Sequence, residues 1–66
     1  MTNNQWIKAE IDSLPSASKE VDIKVGLKIM CGYVLVKVNS INYYFENIKT
    51  GCVVDGFDVD GWRYSD

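Results

Sequence analysis

Apolar and polar residues alternate through the middle of the chain. Between residues 21 and 29 every odd position is apolar, and between residues 34 and 38 every even position is apolar. This period of two is typical of β-strands with one buried face. A two-residue turn at Cys31 and Gly32 would keep both apolar sets on the same face. We therefore predict a β-hairpin over this stretch.

The same test of register predicts three further strands. In the third strand Tyr43 is expected to face the core, opposite Phe57 of the fourth strand. The Asp-Gly sequence at 60–61 is a strong signal for a tight hairpin before the last strand. That hairpin would place Asp58 opposite Arg63, a pair of opposite charge. The predicted strands cover residues 21–30, 33–38, 41–48, 52–59 and 62–65.

A short amphipathic helix is predicted before the sheet. Ile7, Ile11 and Leu14 recur at the spacing that places side chains on one face of a helix. Asn3 or Asn4 provides an N-cap, and the proline after Leu14 ends the helix. The predicted helix covers residues 4–14, and a linker covers residues 15–20.

Length and pattern together predict the fold class. A chain of 66 residues has room for one domain, which would span 1–66. We expect an α+β fold in which the N-terminal helix packs on a five-stranded antiparallel meander. The alternative is that the meander curls into a small barrel of SH3-like shape.

The composition argues against catalysis. The chain has no histidine, which excludes Ser/His/Asp and Cys/His catalytic sets and zinc sites that mix Cys with His. Cys31 and Cys52 lack the CxxC spacing, and no glycine cluster precedes a helix as a phosphate-binding loop requires. We predict a non-enzymatic protein with no cofactor and no metal.

Charge and hydropathy restrict the partners. No segment approaches the ~18 apolar residues of a membrane span, and the first residues do not form a signal peptide. We expect a cytoplasmic protein without a membrane partner. The net charge of −2 argues weakly against nucleic acid as a partner.

The outer face of the predicted sheet is the main candidate site. If the even residues of the second strand face the core, then Tyr33 and Leu35 point outward, with Leu35 opposite Tyr44. An apolar centre with a polar rim is typical of a protein interface, although high β propensity or the lining of a curled barrel would explain the same residues. The predicted partner-binding residues are Tyr33, Leu35, Tyr44, Lys28, Lys37, Glu46 and Val54.

The C-terminal part of the chain is acidic. Its carboxylates could present a row of charges to a basic channel in a partner, or could simply keep the protein soluble. The spacing within 55–61 does not match a calcium-binding EF-hand loop. The predicted acidic patch consists of Asp55, Asp58, Asp60 and Asp66.

These features predict a small protein-binding module that acts as an inhibitor or adaptor of a larger protein. In size and composition the chain is similar to phage and mobile-element inhibitors of bacterial machinery, anti-CRISPR proteins among them; that likeness carries no site residue. One alternative is a single-stranded nucleic-acid binder that stacks bases on Tyr33 and Tyr44 and holds phosphates with lysines. Another is a homodimer or larger homo-oligomer that pairs through the edge of the first strand. The lysines of the nucleic-acid alternative are Lys24, Lys28 and Lys37.

Overall fold

The computed structural model describes residues 5–65, which form one antiparallel β-sheet. The strands are β1 (Ile7–Lys8), β2 (Val21–Val25), β3 (Lys28–Lys37), β4 (Tyr43–Asn47), β5 (Val53–Asp55) and β6 (Gly61–Tyr64), with a 3₁₀ helix η1 (Gly56–Asp58) before β6. Their order in the sheet is β1-β6-β2-β3-β4-β5. The prediction of an antiparallel sheet is confirmed, whereas the predicted fold of a helix on a five-stranded meander is wrong.

The first hairpin turns earlier than predicted. Val25 pairs with Lys28, so the turn consists of Gly26 and Leu27. Gly26 has a φ of 61°, which fits the first central position of a type II′ turn, where a positive φ is needed. The predicted turn at 31–32 is therefore wrong, and β3 continues through that position without a break.

A β-bulge occupies the place where that turn was predicted. Ile23 pairs with Met30. Two residues back along β2, Val21 pairs with Tyr33, which is three residues further along β3. The extra residue of β3 is accommodated at Gly32, whose φ is 81°.

The bulge reverses the faces of the second half of β3. Before the bulge the even residues of β3 face the core, and after it the odd residues do. Tyr33 and Leu35 are therefore buried, with 6% and 3% of their surfaces exposed. The predicted outward orientation of these two residues is wrong, and Val34 and Val36 face outward in their place.

The last strand does not pair with its neighbour in sequence. η1 leaves the sheet after β5 and carries the chain across to β2, where β6 fills the edge opposite β3. The predicted hairpin at 60–61 is wrong for this reason. Arg63 pairs with Asp22 of β2 instead of Asp58, and its Nε lies 3.3 Å from the Asp22 Oδ2.

The predicted N-terminal helix is replaced by β1 and an irregular segment. β1 pairs with the free edge of β6, so its backbone bonds to the sheet instead of to a helical turn. The Trp62 indole then donates to the Ser13 carbonyl at 2.7 Å, and the Tyr43 hydroxyl donates to the Ala9 carbonyl at 3.3 Å. The predicted cap at residues 3 and 4 lies outside the described residues.

The core lies on one face of the sheet, beneath this N-terminal segment. Ala9 and Leu14 of the segment pack against the buried side chains, as do Val25, Met30 and Val54 of the sheet. Tyr43 and Phe45 are buried as predicted. Within residues 5–65 the sheet ends at β1 and β5 without hydrogen bonds between them, and no helix is long and apolar enough to cross a membrane. The buried apolar residues are Val21, Ile23, Tyr33, Leu35, Tyr43, Phe45, Val59 and Trp62.

Candidate protein-binding surface

The outer face of the β3–β4–β5 half of the sheet is largely apolar. Val36 lies opposite Tyr44, and Tyr44 lies opposite Asp55. Because neighbours across an antiparallel pair share a face, these side chains form one row away from the core. Glu46 lies on the same face, opposite Val53.

Exposed apolar side chains continue from this face onto η1 and the β3–β4 turn. Val53 is 60% exposed, Val38 63%, Ile41 68% and Phe57 74%. Each of them lines one of two shallow depressions, and Phe57 lines both. We call this surface the apolar ridge and define it as Val38, Ile41, Tyr44, Val53 and Phe57.

Phe57 lines both depressions, together with Asn42 and Tyr43. The first has a volume of about 330 Å³ and lies between Phe57 and the outer sheet residues Val38 and Tyr44. The second has a volume of about 380 Å³ and lies between Phe57 and Ile41, over the N-terminal segment. Tyr43 supports the Phe57 ring from beneath, with a centroid distance of 6.1 Å. The exposed part of the ring therefore projects between two concave surfaces.

The local sequence around η1 explains why Phe57 points outward. The Asp55 carboxylate accepts a hydrogen bond from the Phe57 N–H at 3.0 Å, which closes a tight turn. Gly56 is buried in that turn against the Tyr43 ring, where a Cβ atom would overlap ring carbons. The chain can therefore pass close to the core at Gly56 while the next side chain is left on the surface.

Carboxylates border the apolar ridge. Asp55 and Asp58 are exposed at the two ends of η1, and Glu10 lines the second depression. Burial raises the pKa of the Tyr43 hydroxyl, and the negative charges of Asp55 and Glu10 raise that pKa further. Asp55 lines the first depression and Glu10 lines the second, so each depression has a carboxylate at its border.

The predicted acidic patch is divided in the structure. Asp55 and Asp58 lie beside the ridge, whereas the Asp60 carboxylate accepts the Gly26 N–H at 2.6 Å and so supports the first hairpin turn. Asp66 lies outside the described residues. Within the described part of the chain, no three acidic or cysteine side chains are placed to hold a metal ion.

The predicted partner-binding residues are likewise separated. Tyr44 and Glu46 lie on the outer face as predicted, and Lys37 is exposed at the end of β3 beside the ridge. Lys28 is exposed at the opposite end of β3. The predicted outward orientation of Lys28 and Lys37 is wrong, because Lys28 pairs with Val25 and Lys37 with Tyr43, which places both lysines on the core side of the sheet. Val54, predicted to face outward, packs against the core. Tyr33 and Leu35 belong to that core as well.

Sequence reasoning missed four of the five ridge residues. Val38, Ile41 and Phe57 were expected to face the core, since the predicted registers were shifted relative to the observed ones. The signal that could have found Phe57 is the Asp55-Gly56 pair before it. An Asp side chain that bonds a backbone N–H two residues on forms its own turn and interrupts the strand.

A second cluster lies on the outer face of β2 and β6. The Arg63 guanidinium lies 4.3 Å from the Trp6 ring centroid, and the Ser65 hydroxyl donates to Asp22 at 3.2 Å. A hydrogen bond to Asp22 is the largest cause of a raised pKa at the Cys31 thiol, followed by burial and by the charge of Asp22. Because a thiol is nucleophilic as its thiolate, this environment makes Cys31 less reactive.

The surroundings of Cys31 therefore do not activate its thiol as a nucleophile, and the apolar ridge is the candidate site. Cys31 and Cys52 are both free thiols at the surface. The ridge presents apolar side chains and two shallow depressions to a ligand, with carboxylates at the border. The chain matches no model of a known protein family, no curated protein and no solved structure.

Proposed function

We propose that this chain is a non-enzymatic protein-binding module that docks on a larger protein through the apolar ridge, as an inhibitor or adaptor. The observation that carries the proposal is the exposure of Phe57, which is 74% exposed between two depressions. A contiguous apolar patch with a polar border is the usual composition of a protein interface.

The energetics favour Phe57 as an anchor. Removing a large apolar side chain such as Phe from water contributes about 1.5–3 kcal/mol. Tyr43 contacts one side of the ring, which restricts part of its side-chain freedom before a partner covers it. A large aromatic residue within an apolar patch is typical of the few residues that dominate binding energy.

Charge favours a partner with basic side chains. Asp55 and Asp58 flank the ridge, so Lys or Arg residues at the edge of the partner would complement them. A second copy of the chain would bring the same carboxylates to the same place. Nucleic acid would bring phosphates to this acidic border, and Tyr33, one of the two predicted stacking residues, is buried.

The proposal is tested with substitutions on the ridge. Partners are first captured from an extract of the native source, and affinities are then measured with the purified partner. Phe57→Ala is expected to weaken binding by about tenfold or more, as for an interface anchor. Its thermal midpoint should stay close to that of the wild type, because the ring is mostly exposed.

Leu27→Ala provides the matched control. Leu27 is a fully exposed apolar residue in the first hairpin turn, away from the ridge. Its substitution should leave the affinity unchanged. A partner that binds the Phe57→Ala protein as tightly as the wild type would contradict the proposal.

A further inference from the structure

The strand at one edge of the sheet has free backbone groups beside the ridge. Asn47 donates its N–H to the Cys52 carbonyl at 2.7 Å, just before β5 begins. Bonded pairs alternate along an antiparallel ladder, so the next residue bonded to β4 is Val54. The N–H and C=O groups of Val53 and the N–H of Asp55 therefore point away from β4, whereas the Asp55 carbonyl accepts the first hydrogen bond of η1, for which Asp55 is the N-cap. Within residues 5–65 no strand pairs with this edge.

The edge and the ridge share side chains. Val53 and Asp55 both line the depression of about 330 Å³ next to Phe57. A strand added at this edge would therefore place alternate side chains over that depression. Its remaining side chains would lie on the core side, next to half-buried Val54.

We propose that the partner contributes an extended segment that pairs with β5 as an added strand, with a Lys or Arg opposite Asp55 and apolar residues opposite Val53 and Val54. This inference rests on the proposed function and names the form and chemistry of the ligand. Main-chain bonds would supply affinity, and the depression beside Phe57 would supply specificity.

Charge separates this occupant from a second copy. If β5 of one molecule paired with β5 of another about the middle residue, Asp55 of each copy would lie opposite Val53 of the other. Neither carboxylate would then gain a cation, and the two η1 helices would bring further negative charge. A basic segment from another protein satisfies Asp55 directly.

The length of β5 limits the segment. β5 has 3 residues, and short edge strands with a charged residue are protected from indiscriminate pairing. The recognised core of the ligand should therefore be short, and its affinity should depend on the side chains that reach the ridge. A long, purely apolar strand is not the expected ligand.

The test uses short random peptides displayed on phage and selected on the intact protein. Selected peptides should carry a basic residue next to two apolar residues. Their binding should fall by about tenfold or more in Phe57→Ala and in Val53→Pro. Proline removes the outward N–H of Val53 and is tolerated at the first residue of an edge strand. Val53→Ala, which keeps the N–H, is the control and should bind more tightly than Val53→Pro.

Hydrogen exchange of the wild-type protein gives a second readout that does not depend on how Val53→Pro folds. At saturation with a selected peptide, the exchange rates of the Val53 and Asp55 amides should fall by about tenfold or more relative to the free protein. Peptides that need Phe57 but leave these amides unprotected would overturn edge pairing and leave the proposed function standing. Peptides that bind Phe57→Ala as well as the wild type would count against both. Selection of acidic peptides, or a concentration-dependent dimer that protects the same amides, would overturn the inferred ligand.

Discussion

Gly56 lies directly against the aromatic ring of Tyr43, with no space for a Cβ atom between them. The contact joins the buried and exposed parts of the molecule. On its inner side Tyr43 packs edge-on against Phe45, with centroids 6.2 Å apart. On its outer side Tyr43 supports Phe57. The shape of the ridge is thus fixed by a glycine in contact with a core residue.

Gly56→Ala should destabilise the protein. The added methyl group would overlap both the Tyr43 ring and the Tyr43 backbone carbonyl oxygen, and overpacking of this kind typically costs about 1–3 kcal/mol. Chemical denaturation at equilibrium measures the change. Asp58→Ala, in the same 3₁₀ turn but exposed, is the control and should stay within about 0.5 kcal/mol of the wild type. Equal stability of Gly56→Ala and the wild type would contradict this close contact with the Tyr43 ring and backbone.

Gly32 should tolerate asparagine better than alanine. Its φ of 81° lies in the left-handed region, where a residue with a Cβ atom is disfavoured by about 1–2 kcal/mol. Asn adopts this region more readily than Ala, so Gly32→Asn should be the more stable of the two variants. Thermal unfolding of both proteins provides the comparison. The reverse order would contradict the bulge geometry.

Leu35 and Val38 should respond very differently to truncation, although both lie in the predicted strand 33–38. Leu35→Ala removes a buried side chain and should cost about 2–5 kcal/mol. Val38→Ala removes an exposed one and should change stability by no more than about 0.5 kcal/mol. Urea unfolding of the two variants measures both changes and shows which of the two side chains is buried. A destabilised Val38→Ala with an unaffected Leu35→Ala would place the bulge elsewhere.

Alkylation of Cys31 should depend on Asp22. The hydrogen bond to Asp22, burial and the Asp22 charge raise the pKa of the Cys31 thiol, so less thiolate is present at a given pH. In a Cys52→Ser background, Asp22→Asn should lower that pKa and speed the reaction with iodoacetamide near neutral pH. The pH profile of the rate measures the shift. An unchanged profile, in a protein that circular dichroism shows to be folded, would refute the coupling.

The hairpin region illustrates how far the sequence could predict this fold. Alternation correctly indicated strands on both sides of 31–32, because a half-buried strand requires it. It could not show that the core-facing positions change twice there. They change from odd to even at the Gly26 turn and back to odd at the Gly32 bulge. A glycine after a cysteine fits a turn and a bulge equally well. Since each one-residue shift exchanges the two faces, this ambiguity reversed the predicted orientation of Tyr33 and Leu35.

Long-range pairing was the other feature that the sequence did not reveal. The Asp-Gly sequence at 60–61 indicated a local hairpin between β5 and β6. However, β6 pairs with β2, which has 5 residues, whereas β5 has only 3. The apolar spacing of Ile7, Ile11 and Leu14 fitted a helix. In the sheet, β6 provides backbone partners for β1, and this tertiary pairing outweighs a helical preference that is marginal over three turns.

The position of β6 between β1 and β2 also constrains the order in which the sheet can assemble. β2, β3, β4 and β5 pair with neighbours in sequence and can form hairpin by hairpin. β6 must cross back to pair with β2. Only then does β6 present a free edge to β1, where Ile7 pairs with Trp62. On a ribosome, β1 is therefore the first of these six strands to be synthesised and the last that can pair in the sheet.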